Sequence, residues 1–363
     1  MSENNNVLLL SSDCIPVKGI KRAIIYDLSK KKYHLIPNDL YDILVDINGK
    51  TKNQLYNTYG DDNKIVLDEY FTFLEDNDIL LTIDKGILKN FPKIDLTWDF
   101  PGDISNAVID FDTKPNFNVD SVIDELEKLG CFIVELRFFY SVSLSDLVAL
   151  IDKFEGKDIK RVQLILKHSP LYNIEELDKV IQGCSRISRV FIYNIPEENK
   201  KTYSLTKSGK IICLESSHIS EKSCGVINPS MHAVNLSLFT ESINFNSCLN
   251  RKIAIDRNGD IKNCPSMAKA YGNINDVSLM QVLKESDFKD KWAITKDKID
   301  TCKRCEFRYA CTDCRAYLNN PNDDYSKPLK CGYNPETCEW EEWSSNPLKQ
   351  KTIEHYGLGL LMK

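Results

Sequence analysis

No stretch of this sequence approaches eighteen consecutive apolar residues, so nothing in it reads as a membrane-spanning helix. Positive charge is also short. Lys and Arg number 47 against 53 Asp and Glu, a net charge of −6, with no basic tail or Arg-rich stripe. Phosphate binding usually needs a basic surface, so this balance speaks against a nucleic-acid partner. The N-terminal segment from Met1 to Asp13 lacks a basic stretch followed by an apolar one, and Val7 to Leu10 is far too short for a signal peptide. The expectation is a cytoplasmic protein with neither membrane nor nucleic acid as partner. What remains is ordinary globular composition, 42% hydrophobic and 28% charged, in a chain of 363 residues that allows two or three domains with cores of their own.

Cysteine is what the chain has in excess. There are 13, and nine of them fall between Cys224 and Cys338. A secreted disulfide domain would be small and follow a signal peptide, so clustered thiols point to metal instead. The four scattered ones, Cys14, Cys131, Cys184 and Cys213, read as small hydrophobes.

Three segments emerge along the chain, with an α/β and α+β multidomain organisation. In residues 1–85, Ile15 to Lys18, Arg22 to Leu28 and Lys32 to Ile36 read as short strands separated by turn signals. Asn38 is a candidate N-cap for a helix through Leu40, Leu44 and Ile47, ended by Gly49. Further helices fit Lys52 to Thr58 and Val66 to Asn77, and a last strand fits Ile79 to Ile83. The set suggests a winged-helix-like module. Residues 86–105, with Pro92, Pro101 and Gly102, read as a linker.

Residues 106–222 alternate between strand and helix. Strands fit Ala107 to Asp112, Phe132 to Phe138, Arg161 to Lys167 and Arg189 to Ile195, with helices Val119 to Leu129, Leu144 to Phe154 and Ile174 to Ile181 between them. Such a repeat demands parallel strands with right-handed crossovers. A complete eight-unit barrel needs about 250 residues, so this is a partial βα barrel.

Residues 223–363 hold the cysteines. Asn258-Gly259 between two alternating runs predicts a hairpin that brings Cys248 and Cys264 together across its open end. Further on, Cys302 and Cys305 are followed by Cys311 and Cys314, giving C-x2-C-x5-C-x2-C, and then by Cys331 and Cys338. Two residues between thiolates let one tight turn supply two ligands to one centre. Soft thiolates select iron–sulfur clusters or zinc. Zinc is the less favoured alternative, because two pairs five residues apart leave a cramped loop for one all-thiolate site and the other thiols unused.

The order C-x10-G-x4-C, then C-x2-C-x5-C-x2-C, then a later C resembles the SPASM domain, the auxiliary-cluster domain of many peptide-modifying radical S-adenosylmethionine (SAM) enzymes. The last spacing is two residues where three is usual. The resemblance implies two [4Fe–4S] clusters with interleaved ligands. Cys302, Cys305, Cys311 and Cys331 would hold one, and Cys248, Cys264 and Cys314 three irons of the other. Its fourth ligand would be absent or drawn from Cys224, then Cys338, then His218. The segments Leu249 to Lys252, Lys262 to Met267 and Cys305 to Tyr309 resemble one branch in particular, the grasp-with-SPASM peptide maturases. That branch acts in pathways that make graspetides with a short precursor peptide and an ATP-grasp ligase.

Radical SAM chemistry requires C-x3-C-x2-C after the first barrel strand. Here Thr113 to Asn118 follows that strand, and nowhere are two cysteines four positions apart. The expectation is therefore no bound SAM and no reductive cleavage of it. The N-terminal module resembles the precursor-peptide recognition element of such systems. That likeness implies leader binding by strand addition to Lys32 to Ile36, with Tyr33, Leu35, Tyr70 and Leu74 as pocket residues. Two readings of function stay open: a module that captures the precursor and presents it to the ligase, or a cluster-dependent enzyme acting without SAM.

Overall fold

Residues 5–199 and 206–359 are described by the computed structural model; the flanking ends of the 1–85 and 223–363 segments, and 200–205 within 106–222, lie outside them. The chain begins with a strand, β1 (Asn6–Leu10), absent from the sequence reading. It is followed by a meander of β2 (Cys14–Lys18), β3 (Ala23–Asp27) and β4 (Lys32–Ile36). Three helices come next, α1 (Asn38–Leu44), α2 (Lys52–Tyr59) and α3 (Lys64–Asp76), and then β5 (Leu80–Asp84). β5 pairs antiparallel with β1, from Asn6 opposite Asp84 to Leu10 opposite Leu80. α1 is shorter than expected, because the backbone at Gly49 and Lys50 leaves the helix to bond Leu8 of β1. Asn38 does not cap it either. Its amide reaches back to the carbonyls of Gly19 and Ile20, and Pro37 takes the cap position.

Strand alternation gives the meander two buried faces. Ala23, Ile25 and Ile36 meet Leu40, Ile43, Leu67, Phe71 and Leu74 of the helices. Val17, Ile24 and Tyr26 meet Phe239, Phe307, Ala310 and Tyr333 of the cysteine region. The meander is thus the layer between two cores.

Residues 86–105 contain no strand or α-helix, yet they are packed against the protein. Ile94 and Leu96 join the core on the cysteine side, Trp98 stands edge-on to Phe245 at 5.4 Å, and Ile104 is fully buried. Gly102 and Gly130 cross backbone to backbone, and a Cβ on Gly130, at φ +71°, would come within 2.7 Å of Gly102 Cα.

The central lobe follows the predicted alternation: β6 (Asn106–Phe111), α4 (Val119–Lys128), β7 (Ile133–Phe138), α5 (Leu144–Asp152), β8 (Arg161–Lys167), α6 (Ile174–Gly183) and β9 (Ile187–Tyr193). Each helix starts on a side-chain cap, from Asn118, Ser143 and Asn173. α4 buries Val119, Val122, Ile123 and Leu126, one helical stripe. Each such apolar side chain contributes about 1.5–3 kcal/mol on burial. A short β10 (Ile211–Cys213) follows, and after α7 (Leu236–Asn244) comes the hairpin β11 (Lys252–Ile255) and β12 (Ile261–Lys262).

The hairpin forms as the Asn-Gly signal predicts, with Ala254 opposite Lys262 and Ile255 opposite Ile261. Its further role is long-range. β11 lies parallel to β6, so one seven-stranded sheet runs β10-β9-β8-β7-β6-β11-β12 from the central lobe into the cysteine region. No helix among the described residues is long and apolar enough to cross a membrane.

Candidate metal centre

The cysteines rest on tight turns rather than long elements. Cys302 opens one 3-10 turn, Cys302–Arg304, and Cys305 links it to the next, Glu306–Tyr309, with the Cys305 N–H donating to the Cys302 carbonyl at 2.9 Å. The Cys311 N–H donates back to Phe307 at 3.1 Å, and that of Cys331 to Pro328 at 3.2 Å. All four of these cysteines line one small apolar cavity of about 30 Å³, with His232, Lys296, Phe307 and Trp340.

A second group forms at the open end of the β11–β12 hairpin. Cys248, Cys264, Cys314 and Cys224 act on one another electrostatically. Gly225 makes the approach of the 224–225 backbone possible. At φ +86° it lies so close to Cys314 that a Cβ would sit 2.7 Å from the sulfur. The nine sequence-predicted cysteines thus lie as two groups of four plus Cys338. That last residue, at φ +63°, stands beside Tyr333 and Arg22 and belongs to neither group. His218 lies elsewhere, in a cavity at the carboxyl ends of the parallel strands. Among the scattered cysteines, Cys14 and Cys131 are buried, Cys184 is half-buried and Cys213 is exposed.

The donor set fits a thiolate-bound group. Burial pushes the Cys302 thiol up to about 12, and Cys248 up to about 11. Cys305 is also held well above the usual range by burial. Neutral thiols of this kind release protons when a metal takes them as thiolates, so ligation and lobe order are coupled. No three His, Cys, Asp or Glu side chains among the described residues converge tightly enough to grip a single metal ion.

A buried polar frame joins the two groups. Asn246, two residues before Cys248, accepts from the backbone N–H groups of Cys248 and Leu249 and donates to Asp313 at 2.7 Å. Asp313, next to Cys314, is paired in turn with Arg315 at 2.5 Å. Two lysines clamp the loops from behind: Lys349 donates to the Leu329 and Cys331 carbonyls, and Lys330 to those of Lys222 and Cys224. Burial brings both ammonium groups down to about 8. His232 is unusual here. Both ring nitrogens are buried without a hydrogen-bond partner among the described residues, and burial, then Lys296, lowers it to about 4.

The first cysteine turn is also the dock for the N-terminal meander. Glu306 is fully buried and accepts from Arg22 Nε at 2.7 Å and Tyr333 OH at 2.5 Å. Tyr26 OH donates to its carbonyl at 2.7 Å, and the backbone at Ile20 bonds Arg304. The four predicted peptide-pocket residues separate in this arrangement. Leu74 is wholly buried, and Tyr33 packs edge-on to Phe307 at 5.5 Å, toward the cysteine side. Tyr70 lines a shallow groove between α1 and α3 with Ile43 and Val66. Leu35 is 45% exposed on β4, which pairs with no strand but β3 among the described residues.

Sequence reasoning passed over the inner face of the central sheet. Ala107, Ile109 and Phe111, and Val134, Leu136 and Phe138, pack under the helices, so the alternate residues Asp110, Glu135 and Arg137 point the other way. Arg137 grips Asp110 through two hydrogen bonds of 2.6 and 2.7 Å, and Gln163 bonds Glu135 at 2.8 Å. This face leads to the cavity at the strands' carboxyl ends, about 480 Å³, lined by Asp112, Lys167, Tyr193, Glu221 and Arg257. Polar residues at alternate positions of otherwise apolar strands were the available signal.

Comparison with known proteins gives the following. The chain is similar to two crystal structures of Streptococcus suis SuiB, one bound to S-adenosylmethionine, at 11% identity over 88% of this chain and 98% of the other, with TM-scores of 0.34 and 0.35. No curated protein matches it significantly. A family profile for an iron–sulfur cluster-binding domain matches residues 247–306, the stretch holding Cys248, Cys264, Cys302 and Cys305. With its cysteines gathered on the turns just described, this part of the chain is a SPASM domain, an iron–sulfur cluster-binding domain.

Proposed function

We propose that the chain serves in the maturation of a ribosomally made peptide of the graspetide type, by binding the leader of a precursor peptide and presenting its core to a partner ATP-grasp ligase. In this reading Cys302, Cys305, Cys311 and Cys331 hold one [4Fe–4S] cluster. Cys248, Cys264, Cys314 and Cys224 hold a second, and no SAM is bound. A cluster, when present, supplies cross-links between loops and one-electron chemistry. The chain's own residues do the recognition. β4 offers main-chain donors and acceptors along its free edge, Leu35 offers an apolar contact, and Glu306 keeps the meander fixed on the cysteine turn.

The observation that carries the reading is the edge of β4 that no described strand other than β3 pairs with, in a sheet packed on both faces. Leader peptide from a precursor encoded nearby, labelled and titrated with the anaerobically purified full chain, tests it by fluorescence anisotropy. Saturable binding that the core peptide does not compete supports the reading; no binding to the iron-loaded chain sinks it.

The charged inner face and its cavity of about 480 Å³ favour a second reading, an enzyme that modifies the peptide beside the second cysteine group. Turnover of the precursor by the purified chain alone, with no ligase, would establish that reading in place of the first.

A further inference from the structure

Each cysteine group has one lysine ammonium placed directly on a sulfur, buried at Lys296 and half-buried at Lys252. Lys296 is 3% exposed, and its Nζ lies 3.1 Å from Cys311 Sγ and 3.1 Å from the Thr312 carbonyl. Its nearest carboxylate, Asp313, is farther away at 3.9 Å and already paired with Arg315. Lys252 places Nζ 3.5 Å from Cys248 Sγ, and among the described residues it forms no ion pair with a carboxylate. The two lysines come from different parts of the chain, one from a 3-10 turn and one from β11. Their arrangement is nevertheless the same: one ammonium on one cysteine sulfur, closer to it than to any carboxylate among the described residues.

Such placement is costly without an anion. A lysine ammonium removed from water loses several kcal/mol of hydration unless a counter-charge restores it. A neutral thiol is a poor counter-charge. A cluster on four thiolates is a net anion that becomes more negative on reduction, and net charge and hydrogen bonds to the sulfurs are what set its potential.

We propose that Lys296 and Lys252 are built-in counter-cations, one for each cluster, that favour the reduced form and so raise the reduction potential of their own cluster. The inference rests on the reading of the two cysteine groups as cluster sites. It makes each cluster an electron acceptor tuned separately from the other, rather than a purely structural cross-link.

The test is an EPR-monitored redox titration of the full chain, reconstituted anaerobically and titrated with dithionite, for wild type, Lys296→Met and Lys252→Met. Each variant is expected to lower one reduction wave and leave the other in place, and the two variants are expected to move different waves. A tenfold fall in the reduction equilibrium constant reads as about 59 mV for a one-electron couple. If a Met variant loses one cluster, iron content decides. Recovery of iron and EPR signal in the Lys→Arg variant at that position supports a counter-charge, and failure to recover them overturns it. Unmoved waves with full iron in both variants, or the same wave moved by both, also overturn it. A wild-type chain without labile sulfide would instead refute the cluster reading beneath it, a distinguishable result.

Discussion

The central lobe and the cysteine lobe share one sheet but are held together differently. In the central lobe, strands of six or seven residues alternate with capped helices over a continuous apolar core. Between residues 290 and 340 the regular elements are 3-10 turns of three or four residues and two strands of two residues, Tyr333–Asn334 and Glu339–Trp340. The cores there are small, and cysteines of both groups are part of them. Ordering the backbone of such turns costs roughly 1–2 kcal/mol per residue, which thiol ligation would help to offset. One part of the molecule is organised by burial of a continuous apolar core; the other is a set of short turns that gathers its thiols.

The largest effect should come from breaking that second arrangement. Cys305→Ala should remove iron and unfold much of residues 290–340, since ligation free energy in small metal domains is folding free energy of about 10 kcal/mol or more. Hydrogen exchange should show protection lost there and kept in β6 to β9. A uniform loss across both lobes, or none, would break the comparison.

Next in size is the dock between meander and cysteine turn. Glu306→Ala strands Arg22 and Tyr333 and should cost about 3–5 kcal/mol, the usual penalty for removing one partner of a buried pair. Limited proteolysis should then cut the 86–105 segment, whose Ile94 and Leu96 lean on the same core. Resistance equal to wild type would contradict this coupling. For contrast, Leu126→Ala empties a fully buried site in the central lobe. A cost of about 2–5 kcal/mol is expected, read as a lower denaturation midpoint with iron content unchanged. Iron lost from this variant would mean that the lobes do not stand apart energetically.

Much of this organisation was legible from local chemistry. The helices of the central lobe, the stripe of Val119 to Leu126 and the Asn258-Gly259 turn are decided by near neighbours, and these elements fall where the sequence puts them. The misses are pairings between distant segments. β1 reads locally as four apolar residues and becomes a strand only because Leu80–Asp84 lies beside it. β11 reads as one arm of a hairpin, and nothing near it announces the parallel seat beside β6. Tyr33 shows the same limit in a candidate site. Alternation puts it on one face with Leu35, but that Phe307 covers part of this face depends on a segment far along the chain.

The smallest expected effect on the fold tests where the free edge of β4 belongs. Antiparallel strands point alternate backbone N–H groups toward the partner and away from it. In β4, Tyr33 and Leu35 form one alternate set, and His34 belongs to the other. Proline removes an N–H, so at an outward position it spares the β3 ladder while taking one donor from the free edge. Leu35→Pro and His34→Pro therefore form a matched pair: one should keep the fold and lose leader binding, and the other should weaken the meander itself. Circular dichroism and iron content identify the folded variant, and anisotropy with labelled leader measures its binding. A loss of at least tenfold, about 1.4 kcal/mol, is expected from one lost main-chain hydrogen bond and the contacts beside it. Leu35→Ala, which trims only an exposed side chain, should weaken binding less and leave stability within about 0.5 kcal/mol. If the folded proline variant binds leader as wild type does, β4 is not the docking edge. The charged inner face of the central lobe would then be the surface to test for the peptide.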